Sequence, residues 1–450
     1  MAEAKTKNAL YPFLTGALVG VTGAVLWQAL LPRRGFSPSL IRDARDNPHI
    51  PGAVIVPGIL GSQLQRPDGT PVWLNAGNAL GHHDLRLPAR LPLSQCSDEL
   101  SPGGLIGVDE VLPRLFGFTE YADLLQLLEA AGFHRDSRRG GGHGAVYHVF
   151  TYDWRRDLVE SARGLGTRLD EMATARGDDN ARFNVVGHSM GGLVARYYLR
   201  YGDAEPGGPV TWAGAKRIEN LVLVATPSAG SIPSLDAVLN GNRVGLSSTT
   251  LAAPVIARMP SIYELLPTRG SRPLIDASGE GLDVDLLEPS TWERFGWGPW
   301  RPGTADAGER EFLTALLQRA AAFQAALAQP AASPCPVRVL ALGGDCLPTP
   351  ARAIAPDRAG AFPRFDPWTR AEADRMLEAG DGRVTRASVL ASDLPEASGS
   401  VVGSGIPEIS HAFFGEADHH GIYSEPTFQS VLLRLLLLPA RTAADAALVS

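Results

Sequence analysis

The stretch Asn184-Val185-Val186-Gly187-His188-Ser189-Met190-Gly191-Gly192-Leu193 constrains this chain more than any other. An apolar run ending at Val186 meets Gly-x-Ser-x-Gly and passes into a helix-like stretch through Ala195, Tyr198 and Leu199. That order of strand, sharp turn and helix is the pattern of a nucleophile elbow, in which a serine on a strained backbone stands with its hydroxyl exposed. Gly187 and Gly191 make room where strand and helix approach, since side chains there would collide. Five residues with three fixed positions also arise by chance in a chain with 49 glycines. The strand before the motif and the helix after it favour the nucleophile.

The chain has 450 residues, 44% hydrophobic and 20% charged, enough for a large globular core. A formal net charge of -7 and the lack of a basic run argue against a nucleic-acid partner. The few lysines and the abundance of Ala, Gly and Pro fit a GC-rich bacterial source. Cysteines at 96, 335 and 346 make no disulfide framework. Cys335 and Cys346 bracket an apparent strand that holds them roughly 20 Å apart, so free thiols are expected.

From Ala9 to Leu31 no residue is charged, with Lys5 and Lys7 on one flank and Arg33-Arg34 on the other. As a helix this run is about 35 Å long, enough to span a bilayer. It reads as an uncleaved single-pass anchor holding the protein at a membrane, the bacterial inner membrane given the composition. A cleaved export signal is the alternative. Residues 1–36 are this segment, 37–50 a polar linker and 51–450 a catalytic domain.

Apolar runs Ala53–Val56, Val146–Phe150, Phe183–Val186, Ile218–Val224 and Val337–Leu342 read as buried strands. Helical spacing over Tyr121–Ala131, Leu158–Met172, Glu311–Leu327 and Thr427–Leu438 supplies the covering layers. This alternation predicts an α/β fold, a mostly parallel sheet with helices on both faces. Two stretches break the rhythm: a Pro/Gly-rich excursion at about 65–117, read as surface, and a cap insertion at about 231–330. The cap's Trp292, Phe295, Trp297 and Trp300 suit its own core, with lipid or substrate contact as the alternative. Asp153 and Arg155 flank Trp154 as a buried structural ion pair. His82-His83-Asp84 has no further ligands at useful spacing and reads as a solvated loop, so neither metal nor cofactor is expected.

A serine nucleophile needs an acid and a base, in the order Ser, Asp, His for this fold. Asp345 follows a strand in Gly343-Gly344-Asp345, and Asp381 sits in the Gly-bracketed turn Gly380-Asp381-Gly382. The residues alone do not separate them. For the base, His419 in Asp418-His419-His420-Gly421 comes first, His420 second and His411 third. The loop Pro57-Gly58-Ile59-Leu60-Gly61 after the first strand reads either as an oxyanion donor or as a plain strand-ending turn.

Five stretches together resemble the lecithin:cholesterol acyltransferase family, which includes lysosomal phospholipase A2 and the phospholipid:diacylglycerol acyltransferases. They are Val56-Pro57-Gly58-Ile59-Leu60-Gly61-Ser62-Gln63-Leu64, Tyr152-Asp153-Trp154-Arg155, Gly187-His188-Ser189-Met190-Gly191, Leu347-Pro348-Thr349-Pro350 and Gly380-Asp381-Gly382-Arg383-Val384. The resemblance implies an α/β-hydrolase core with cap and lid. It implies Ser189 as nucleophile, Asp381 rather than Asp345 as acid, and the N–H groups of Ile59 and Met190 as oxyanion donors. It implies a lipid ester, phospholipid or acylglycerol, as substrate, with water or an alcohol as acyl acceptor. The sequence around His419 is as similar to the His loop of general bacterial lipases as to that of this family. Ala225-Thr226-Pro227-Ser228-Ala229-Gly230-Ser231 departs from the family's Ala-Pro-Trp-Gly-Gly-Ser, and Cys96 has no partner for a lid disulfide. A soluble or exported carboxylesterase or thioesterase on small esters would use the same residues. A non-catalytic binding fold would instead show a broken triad.

Overall fold

Seven strands, all but β2 mostly apolar, hydrogen-bond side by side into one sheet: β1 (Ala53–Val56), β2 (His134–Arg135), β3 (Val146–Val149), β4 (Phe183–His188), β5 (Ile218–Val224), β6 (Arg338–Gly344) and β7 (Ile409–Gly415). The order is β7-β6-β5-β4-β1-β3-β2, and every pairing is parallel. Parallel strands need helical crossovers that cover both faces, which is why β1 and β4 are buried along their whole lengths. The computed structural model describes residues 50–73, 84–106, 120–135, 146–244, 247–303, 306–394 and 401–437. All lie within one compact unit, Ser39–Ser450. The charge-free run at residues 9–31 and the pair His82-His83 lie outside the described residues. Among those described, no helix is long and apolar enough to cross a membrane.

Strand order places the site before any side chain is considered. From β4 the chain moves outward through β5, β6 and β7, whereas β3 and β2 lie beyond β1 on the other side. The direction of winding reverses between β1 and β4, and open α/β sheets bind ligands at the carboxyl ends of strands flanking such a point. The loop after β1 and the turn after β4 emerge there together.

Five helices matter for the site: α1 (Glu120–Ala130), α2 (Leu158–Arg176), α3 (Met190–Tyr201), α4 (Ala307–Ala328) and α5 (Pro426–Leu437). Helix α2 starts where the Asp157 carboxylate accepts from Val159 N–H and stops at Gly177, whose φ of 65° is left-handed. All twelve residues of α3 are buried, because α2 and α4 pack around it. Tyr201 Oη donates to Ala326 O at 2.7 Å and Arg196 Nη2 to Leu327 O at 2.8 Å. Glu408 lies between Arg196 and Arg200, at 2.7 and 3.0 Å, a buried trio that no motif announces.

Most described residues of the excursion after residue 65 lie at the surface, as its composition predicts, and a few anchor it to the core. Ser62–Gln65 pairs antiparallel with both Pro71–Trp73 and Ser101–Leu105, and Trp73, Leu85 and Cys96 are buried. Trp73 meets Trp154 edge-on at 5.5 Å, so the aromatic pair pins this segment to the core. Of the cap aromatics Trp292, Phe295, Trp297 and Trp300, the first three are core and Trp300 is half-buried against it. Phe295 stacks on Trp297 at 4.7 Å and Trp292 meets Trp297 edge-on at 5.9 Å, all three buried. The three cysteines are free.

Glu264 is a buried acid in this packing. Its Oε2 accepts from Leu158 N–H at 2.9 Å, while Oε1 has no partner among the described residues. Burial, with the Asp157 charge adding to it, pushes its pKa well above the ordinary 4.5. The folded protein therefore holds a proton that the unfolded chain releases above about pH 4.5, so stability falls as pH rises from there through the folded pKa. Glu264→Gln keeps an acceptor for Leu158 N–H and removes the titration. Its Tm is expected to exceed wild type by roughly 2 °C at pH 7–8, the shift about 1 kcal/mol gives in a large domain, and to match it near pH 4. A uniform loss of Tm across this pH range would rule out a neutral Glu264.

Candidate active site

Ser189 sits between β4 and α3 with φ 51° and ψ -124°, a conformation that a non-glycine residue holds only when its surroundings impose it. The surroundings are tight. A Cβ on Gly187 would stand 2.6 Å from Gly192 Cα, and one on Gly191 would overlap the carbonyl oxygens of Val56 and Pro57. Strand, helix and the loop after β1 therefore meet at van der Waals distance around the serine. Met190 is the first residue of α3, where backbone N–H groups have no intrahelical acceptor. Its N–H is available to an anion beside Ser189.

The loop Pro57–Gly61 lies against the elbow, since a Cβ on Gly58 would stand 3.0 Å from Ser189 Cβ. Ile59 lines the same cavity as Ser189. The Tyr152-Asp153-Trp154-Arg155 segment buttresses the loop: Tyr152 Oη donates to Pro57 O at 2.8 Å and Trp154 Nε1 to Ser62 O at 3.0 Å. Arg155, fully buried, spends five N–H bonds on Asp153, Asp98 and Leu85 O. The Asp153 pair is the one expected from its spacing, whereas Asp98, 57 residues away in the excursion, carries no signal in the sequence.

Asp381 and His419 meet at 2.8 Å, Oδ2 to Nδ1, and His419 N–H also donates to Asp381 O at 2.9 Å. The carboxylate is held from behind, its Oδ1 accepting from Arg383 N–H at 2.9 Å and Val384 N–H at 2.8 Å. Leu347–Pro350 pairs antiparallel with Leu377–Gly380, and Thr349 Oγ1 accepts from Gly382 N–H at 2.8 Å. That ribbon sets the turn carrying Asp381. Gly344, at the end of β6, leaves room for it, because a Cβ there would stand 3.1 Å from Asp381 Cβ. Asp345 instead pairs with Arg386 at 3.1 Å, and the structure does not bring it to His419. His420 lines the cavity with its ring edge-on to His419 at 5.4 Å. His411 is exposed on edge strand β7 and contacts Ser410.

Ser189, His419 and Ile59 line one cavity of about 170 Å³. The rest of its wall includes Ala237, Leu251, Ile256, Met259, Ile262 and Leu265, all from the cap segment. With Nδ1 of His419 donating to Asp381, the lone pair of Nε2 is left to take a proton from a hydroxyl. Two residues here carried no role in the sequence reading: His188, buried beside the nucleophile, and Tyr121 on α1, whose hydroxyl bonds His188 Nδ1 at 2.9 Å. Burial and the nearby His419 and His420 push the pKa of His188 well below 6.5.

A parallel sheet with a strained serine turn after β4, and with Ser189 and His419 lining one cavity, has the arrangement of an α/β-hydrolase fold. The lecithin:cholesterol acyltransferase family model matches residues 101–282, so the resemblance drawn from the motifs holds over that stretch. The match contains the elbow and the Tyr152–Arg155 segment, whereas Asp381 and His419 lie outside it. A 151-residue segment is 28% identical to the uncharacterized protein YJR098C of Saccharomyces cerevisiae, covering 33% of this chain and 21% of that protein. The chain thus spans about a fifth of the length of that curated relative. Among solved structures, a chain of the Tle4-Tli4 complex superposes with a TM-score of 0.52 at 16% identity, over 87% of this chain and 99% of that one. The mature lipase BlEst2 of Bacillus licheniformis gives 0.38 at 12% identity, over 87% and 94%.

Proposed function

We propose that the chain is a lipid acyl-ester hydrolase or O-acyltransferase that works through an acyl-serine on Ser189. The observation that carries this reading is that His419, bonded to Asp381 at 2.8 Å, lines the same cavity as Ser189. His419 Nε2 takes the Ser189 proton as Oγ attacks the ester carbonyl, and returns it to the leaving alcohol. Asp381 holds the imidazole tautomer and stabilises its cation. The N–H groups of Ile59 and Met190 stabilise the oxyanion, each worth about 3 kcal/mol. Water or an acceptor alcohol then takes the acyl group by the same steps in reverse.

The apolar wall supplied by the cap suits an acyl chain. A second cavity of about 220 Å³ adjoins at Ser231 and Arg383 and includes Arg352, Glu378 and Asp393. In this reading the polar part of the ester leaves the apolar pocket on that side. Residues 9–31 would hold the enzyme at its lipid.

Incubating the full-length protein with vesicles of mixed phospholipids containing a sterol or diacylglycerol, followed by mass analysis, tests the reading. Free fatty acid marks a hydrolase and new esters a transferase. Neither product would sink the lipid-ester assignment. The same vesicles, sedimented after an alkaline wash, are expected to retain the chain, and its recovery in the supernatant would remove the anchor.

A further inference from the structure

We propose that Tyr121 and His188 are positioning residues: a two-link hydrogen-bonded relay that holds the oxyanion loop, the elbow and the base loop in one register. The proposal rests on the serine reading above and goes beyond it in naming what aligns its parts. Gly58 N–H donates to Tyr121 Oη at 2.8 Å. Tyr121 Oη meets His188 Nδ1 at 2.9 Å, and His188 Nε2 meets the carbonyl oxygen of His419 at 3.3 Å.

The donor direction follows from the ends. A carbonyl oxygen only accepts, so Nε2 of His188 carries the proton. His188 is fully buried and neutral, so Nδ1 is left as an acceptor, and the Tyr121 hydroxyl must donate to it. The hydroxyl oxygen then has a lone pair for Gly58 N–H. Each of the three bonds then joins one donor to one acceptor. The three backbone points tied together are Gly58, one residue before the Ile59 donor, His188, one residue before the nucleophile, and His419 itself.

The rings are clamped as well as bonded. Tyr121 meets His188 edge-on at 5.6 Å, and Tyr423, buried just past the base loop, lies 5.5 Å from His188 and 6.5 Å from Tyr121. His188 and His419 rings lie 5.1 Å apart. A displacement of either loop therefore has to break the relay. Donors and bases act only within fractions of an ångström, and a misplacement of about 1 Å can cost on the order of 10²-fold in rate.

The test uses the full chain, a short soluble p-nitrophenyl ester and a fluorophosphonate probe. Tyr121→Phe removes both hydroxyl bonds and keeps the ring. It is expected to lower kcat and the Ser189 labelling rate by about 10- to 100-fold with KM unchanged. His188→Leu is expected to do the same, and the double variant to be no slower than either single one, because the relay is one unit. His188→Gln carries one donor and one acceptor on its amide and should recover much of the loss. That recovery is what a purely structural role would not give, and it remains readable if the Phe or Leu variants fold poorly. Equal losses in His188→Gln and His188→Leu, or labelling of Tyr121→Phe within twofold of wild type, would overturn the relay. Failure of the wild type to be labelled at Ser189 would instead overturn the serine reading.

Discussion

Ser189→Ala is expected to lose ester hydrolysis by a factor on the order of 10⁶ in kcat, with labelling by a serine-directed phosphonate abolished and Tm unchanged. The size of the loss follows from the elbow. Ser189 carries its hydroxyl on the strained turn between β4 and α3, against the loop after β1 and in the cavity that His419 also lines. Stability is a separate matter. The cost of φ 51° is paid by any side chain that has a Cβ, so serine and alanine share it. The variant is thus a clean removal of one oxygen. If phosphonate labels Ser189→Ala as fast as wild type, the nucleophile lies elsewhere and the mechanism built on the elbow is wrong.

Much of this architecture was legible because it depends on local pattern. Strand β1 is a continuous apolar run, β4 and β5 are apolar runs interrupted by polar residues, and α2 shows its apolar spacing from Leu158 to Met172. The elbow was legible for the same reason, since its glycines answer to contacts made within a few residues and to Val56 directly across. What could not be read depends on distance along the chain. Asp98 reaches Arg155 from 57 residues away and Glu408 reaches Arg196 from 212. Such partners have no fixed spacing, because only the folded sheet brings them together. Asp345 and Asp381 were indistinguishable as residues for a related reason: both follow strands near glycines. The fold separates them, turning Asp345 toward Arg386 while the ribbon at Leu347–Pro350 carries Asp381 back over Gly344. Tyr121 was read as a helix residue on an apolar face, and the bond from its hydroxyl to His188 spans 67 residues.

Asp381→Asn is expected to lower kcat by about 10⁴ while leaving the fold intact, a larger effect than loss of one negative charge would suggest. The reason lies in which end of the new amide faces the histidine. Oδ1 of Asp381 accepts two backbone N–H groups, from Arg383 and Val384, so an asparagine must put its carbonyl oxygen there. Its NH₂ then takes the place of Oδ2, 2.8 Å from His419 Nδ1. Two donors cannot face each other, so Nδ1 gives up its proton and the imidazole carries it on Nε2. That nitrogen then has no lone pair for the Ser189 proton. Asp381→Ala lacks the amide that enforces the wrong tautomer, and is therefore expected to lose less than Asp381→Asn even though it removes more of the side chain. Single-turnover acylation with a p-nitrophenyl ester reads both variants. An asparagine variant within tenfold of wild type would mean that Asp381 does not set the tautomer of the base.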